Sequence, residues 1–211
     1  MIRHAALMAA FLSAPGVVLA QASVACGPEH CYVPVTRLTH QETRPFVFGR
    51  SILTDEFGVW DNYRRALRRF PDARNCLVRG QRNRQDVVDL LAVDWPRLRG
   101  RPYGEVCYFR IFTTLDDMDL IDAWTWASPP YPRHFSRGPV APPVPEMRDD
   151  LPERAFRLTA EWDADGYSER FPSLLNTLTG FQTVTGYGYQ VFFAEDGSVI
   201  SVDVTGSSFL N

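Results

Sequence analysis

The chain has 211 residues, of which 45% are hydrophobic, 13% aromatic and 22% charged, a composition that fits an ordinary globular protein and excludes coiled-coil, collagen-like and wholly disordered readings. Its 22 Lys and Arg residues against 25 acidic ones leave a formal net charge of -3, so no global positive field draws it to nucleic acid or to an anionic membrane. All of the Lys and Arg residues are Arg, which removes the chemistries that need a lysine amine: phosphate-loop nucleotide hydrolysis, pyridoxal Schiff bases, lysine aldolases and serine-lysine acylases.

The N-terminus reads as an export signal. Arg3 and His4 precede an apolar stretch from Ala5 to Ala20 that is shorter than a membrane span and is broken at Pro15-Gly16, with small residues following. Residues 1–22 are therefore expected to be a signal peptide, with cleavage after Ala20, Ala22 or Ala25, and residues 23–211 a single mature domain without a transmembrane span. A periplasmic or secreted address follows. The segment ending at Cys26 resembles a bacterial lipoprotein box in which Ser23 replaces the large aliphatic residue, so a lipid anchor on Cys26 is the lesser alternative.

Four cysteines, Cys26, Cys31, Cys76 and Cys107, follow the leader, and an even number in an exported chain predicts two disulfides. Nearness in sequence pairs Cys26 with Cys31 and Cys76 with Cys107. Glu29 and His30 lie between the first two, but an oxidising compartment disfavours the free thiolates a metal would need. No metal and no cofactor is expected.

In chain order, Phe46–Phe48 suggests a short strand, and Thr54 caps a helix running to Phe70. In that helix Trp60, Tyr63, Leu67 and Phe70 recur at three and four residues and face the core, while Arg64, Arg65, Arg68 and Arg69 fall on the opposite half. Cys76–Val78 reads as a strand or turn. A second helix is predicted from Arg84 to Asp94, started by Asn83, and the nearly continuous apolar run Gly104–Thr113 reads as a central strand. A third helix is expected from Thr114 to Trp126. Eight of the 16 prolines fall between Ser128 and Pro152, so residues 128–152 should be extended and without a ladder. Strands Phe156–Trp162, Phe181–Ala194 and Ser198–Thr205 then follow, with turns at Asp163–Gly166 and Glu195–Gly197. The sum is an α+β fold, about three helices on a mainly antiparallel sheet with a C-terminal β-hairpin.

Charge is unevenly placed. Between Arg64 and Arg84 eight Arg residues accompany one acid, Asp72. The planar fork of Arg suits carboxylate and phosphate, so Arg64, Arg65, Arg68 and Arg69 form a candidate docking face for an acidic protein or an anionic envelope component. The plainer explanation is that these residues complement a helix C-terminus and pair with Asp61. Asp116, Asp117, Asp119 and Asp122 offer paired carboxylates, or simply the acidic start of a helix. Glu161, Asp163, Asp165 and Glu169 begin like a calcium loop, which Pro172 interrupts where the closing Glu belongs. His134 is the best general-base candidate. No nucleophile elbow or zinc-protease motif is present. The expectation is an exported, non-catalytic binding or inhibitory module. The alternative is a small hydrolase of envelope polymers using His134 or the Asp116–Asp122 carboxylates.

Overall fold

Two antiparallel sheets and five α-helices make up the described residues, 24–38, 59–98, 101–140, 155–170 and 184–208 of this computed structural model, and the fold is α+β as expected. The leader, the Phe46–Phe48 strand, the Thr54 cap and much of the Pro-rich segment lie outside the described residues.

The first sheet has the order β1 (Ala25–Cys26), β2 (Cys31–Pro34) and β3 (Val87–Asp89). Cys26 stands opposite Cys31 in the ladder, and a disulfide joins them. The buried carboxylate of Asp89 accepts the amides of Cys31 (2.9 Å) and Leu91 (3.0 Å) and lies 3.1 Å from His30 Nδ1, which fastens the β1-β2 loop to β3. Here the sequence expectation is corrected. The predicted helix Arg84–Asp94 is replaced by β3 and a turn, and Asn83 ends a short helix rather than starting one. That short helix is α2 (Arg79–Arg82), which follows α1 (Val59–Arg69). Val87 and Val88 are β-branched, and pairing Val88 with buried Val33 outweighs their helical spacing.

The second correction is larger. Gly104–Thr113 is not a strand but most of α3 (Arg101–Leu115), every residue of which from 104 to 115 is buried. One side meets α1; the other meets the second sheet. Covered on all sides, this helix has no polar face, and its sequence cannot be told from a buried strand by periodicity. The Thr113 and Thr114 hydroxyls donate back to the carbonyls of Phe109 and Arg110 at 2.7 Å, which satisfies them within the helix. A disulfide from Cys107 to Cys76, with 5.7 Å between Cα atoms, ties α3 to the 3₁₀ turn Ala73–Cys76. Thr114 therefore ends one helix instead of capping the next. That next helix, α4 (Met118–Ala127), is capped by Asp117, whose carboxylate accepts the Leu120 amide at 2.9 Å.

The second sheet runs β4 (His134–Pro139), β5 (Phe156–Asp163), β6 (Val184–Phe193) and β7 (Val199–Ser208) in that order. β4 lies inside the stretch expected to lack a ladder. Between Pro132 and Pro139 no proline interrupts the chain, and a terminal proline is tolerated on an outer strand. The predicted turn after β5 is instead the start of α5 (Ala164–Arg170), where Asp163 Oδ1 accepts the Gly166 amide at 3.0 Å. The Glu195–Gly197 turn forms as predicted, Gly197 taking a φ of 84°.

Leu158, Ala160, Trp162, Tyr189, Val191 and Val202 turn from this sheet toward α3 and α4, where Tyr108, Phe112 and Trp124 meet them. Ring centroids of Tyr108 and Phe112 stand 4.9 and 5.0 Å from that of Tyr189. The polar ends of these rings are matched: Tyr108 with Tyr187 (3.1 Å), Tyr189 with Thr125 (2.6 Å), and Trp124 Nε1 donating to the Leu90 carbonyl (2.9 Å).

Candidate functional site

The arginine face predicted on α1 is assembled as the spacing required. Tyr63, Ala66 and Phe70 are buried, whereas Arg64, Arg65, Arg68 and Arg69 are exposed on the other half. The buried half is pinned: Tyr63 donates to Glu105 Oε2 of α3 at 2.6 Å. At the C-terminal end of α1, the Arg69 guanidinium lies 5.5 Å from the Phe70 ring centre and 5.3 Å from that of Tyr103, and Arg97 lies 5.5 Å from Phe70. Arg97 also donates to the Asn75 carbonyl (3.1 Å) and faces Asp94 at 3.8 Å. Beneath them, buried Arg110 donates from Nε to the Phe70 carbonyl at 3.3 Å. Burial pulls the Arg110 pKa below its ordinary value, and the charge of Asp72 opposes the shift. Positive charge thus meets the negative end of the helix dipole. Arg79 and Arg84 are exposed as well.

The acidic run does not converge on a reaction centre. Asp116 Oδ1 accepts the Val199 amide at 3.0 Å, and Asp117 caps α4. Asp119 and Asp122 hold Arg137 of β4 at 2.7 and 3.5 Å. Each carboxylate has a local structural partner, and none of these contacts involves His134. The calcium-like segment is likewise rearranged, because Asp163 caps α5 and faces Arg133 at 3.4 Å. Among the described residues no three His, Cys, Asp or Glu side chains group as a metal site. Cys26 and Cys31 are bonded to each other, which leaves neither as a thiolate ligand.

His134 is exposed at the start of β4, opposite Glu161 of β5. With Arg133, Trp162 and Asp163 these two residues line an open depression of 430 Å³. Sequence reasoning named Glu161 and Asp163 together as the start of a calcium-like loop and His134 apart from them. It did not bring His134 beside them, because only the β4-β5 register does so. A second feature it missed is an aromatic patch where the end of α4 meets β4: the rings of Trp126 and Tyr131, residues 45% and 63% exposed, stand 6.3 Å apart, and that of Phe135 is 5.3 Å from Trp126. Trp126 falls at the end of the predicted third helix, two residues past Trp124, which the structure buries.

Comparison of the chain with protein-family models, with curated proteins and with solved structures finds no match. Two disulfides are present, and no described helix is long and apolar enough to cross a membrane.

Proposed function

We propose that the protein is an exported, periplasmic or secreted, non-catalytic binding or inhibitory module that engages an acidic protein or an anionic envelope component through Arg64, Arg65, Arg68 and Arg69. The observation that carries this reading is the exposure of all four on one half of a helix whose other half is locked into the core. The backbone under the charges is held by Tyr63 and Phe70, so the guanidinium array is presented on a rigid element. Replacing all four with Glu reverses the face without touching a buried residue. Capture of an anionic partner from an envelope extract is expected to be abolished in the variant and to weaken with salt in the parent protein, while the variant still unfolds cooperatively at a midpoint lowered only by the lost helix-end and ring contacts of Arg68 and Arg69. Capture that persists in the variant refutes the proposal.

The alternative, a small hydrolase acting on envelope polymers, is favoured by one observation: the depression that brings His134 beside Glu161 and Asp163. It predicts release of soluble fragments from purified peptidoglycan by the parent protein and not by His134→Ala.

A further inference from the structure

We infer that the Cys26–Cys31 disulfide is an exchange centre that oxidises a pair of cysteine thiols in a peptide, with His30 as the base. The two disulfides of the protein differ in access. Cys76 and Cys107 are both fully buried, whereas Cys26 is half-buried on β1, an outer strand of its sheet. Cys26 also forms part of the wall of a second open depression, of 410 Å³, together with Ala25, Gly27, Pro28, Glu29 and His30. Cys31 is fully buried and takes no part in that wall. A thiolate entering the depression therefore meets the Cys26 sulfur first, and access of this kind decides which disulfide exchanges.

His30 is set up to take a proton. Its Nδ1 lies 3.1 Å from Asp89 Oδ2, and Asp89 is a buried carboxylate that also accepts the Cys31 and Leu91 amides. A carboxylate on Nδ1 fixes the tautomer that carries its hydrogen there and leaves Nε2 as the acceptor. The Tyr32 ring stacks on the imidazole with 5.0 Å between centroids, which holds its plane. His30 is itself exposed and lines the same depression as Cys26.

The exchange balances as follows. A substrate thiol gives its proton to His30 Nε2, and its sulfur bonds to Cys26 Sγ as the bond from Cys26 to Cys31 breaks. Cys31 leaves as the thiolate and takes that proton. The second substrate thiol then attacks the sulfur of its own chain in the mixed disulfide, and Cys26 leaves with the second proton. Two electrons and two protons pass from the peptide to the protein, one dithiol per molecule, so the step asks for no further oxidant. The backbone keeps the two sulfurs in register while the bond is open: the Gly27 amide donates to the His30 carbonyl and the Leu90 amide to the Cys31 carbonyl, both at 2.8 Å.

The test mixes the oxidised protein with a synthetic peptide containing two cysteines, in the absence of air, and maps free thiols by acid quenching, alkylation and mass spectrometry. The protein is expected to gain thiols at Cys26 and Cys31 alone as the peptide loses two hydrogens. The reaction is expected to run about tenfold or more faster than with the isolated cyclic peptide of residues 26–31, which has the same cysteines and histidine but not Asp89. With glutathione in place of the peptide, the adduct is expected on Cys26. His30→Asn keeps a donor for Asp89 but no basic ring nitrogen, and is expected to slow the exchange about tenfold or more with unchanged far-UV circular dichroism. Opening of Cys76–Cys107 at the same rate, a glutathione adduct on Cys31, exchange no faster than that of the cyclic peptide, or an unchanged rate in His30→Asn overturns the inference.

Discussion

Replacing Cys76 and Cys107 together by Ala, and in a second variant Cys26 and Cys31, asks whether each disulfide stabilises in proportion to the chain it closes. The sequence separations are 31 and 5. Cross-linking removes entropy from the unfolded chain by about 2.1 + 1.5R ln n cal/mol/K, which gives about 3.7 kcal/mol for the longer loop and about 2.2 kcal/mol for the shorter at 25 °C. Packing acts in the same direction, because Cys76 and Cys107 are fully buried whereas Cys26 is only half-buried. Urea unfolding followed by tryptophan fluorescence and far-UV circular dichroism measures both. With a slope of about 2 kcal/mol/M, the midpoint falls by about 1.8 M without the Cys76–Cys107 bond and by about 1.1 M without the other. Equal losses, or a larger loss for the Cys26/Cys31 variant, would refute the loop-closure reasoning.

Asp117→Ala removes the acceptor of the Leu120 amide and is expected to cost about 1 kcal/mol in urea unfolding, most of which Asp117→Asn retains. At Gly188 a Cβ would stand 2.7 Å from the Ala160 carbonyl oxygen and 3.0 Å from Glu161 Cγ, so Gly188→Ala forces β5 and β6 apart at a cost of about 2 kcal/mol. Gly80→Ala, which meets nothing within 4 Å on α2, serves as the control and leaves stability unchanged or slightly raised. The Asp196 carboxyl is held below the ordinary aspartate range first by the Ser198 hydroxyl at 2.6 Å and then by the Ser198 amide at 3.0 Å. A depressed folded-state pKa contributes stability above the unfolded value and loses it as pH falls through the folded one. Carboxyl NMR titration is expected to show the Asp196 midpoint rising in Ser198→Ala; an unmoved midpoint contradicts the assignment.

What could be read from the sequence divides by where each element sits. α1 has one wet and one dry side, so the Tyr63–Phe70 stripe and the arginines opposite it were legible from spacing alone. The β6-β7 hairpin was legible from Asp196-Gly197 between alternating residues, and the disulfides from an even cysteine count and nearness in sequence. α3 was not, because a helix enclosed on every side has no polar stripe to betray its period. Its length and Pro102 in its first turn were the better signals. Asp117 was overlooked as a cap because Thr114 competes for that role by chemistry, and only the end of α3 at Leu115 decides between them. The depression around His134 depends on pairing β4 with β5 across the proline-rich segment, which neither partner announces.

The position of α3 has a consequence for how the chain could be divided. Its residues complete the interior beneath α1 and the disulfide-bonded turn, and they also complete the interior beneath the four-stranded sheet. Neither sheet owns a finished interior. Severing the chain between α4 and β4 would therefore strand an apolar surface on each fragment, and the halves would persist only by finding one another again.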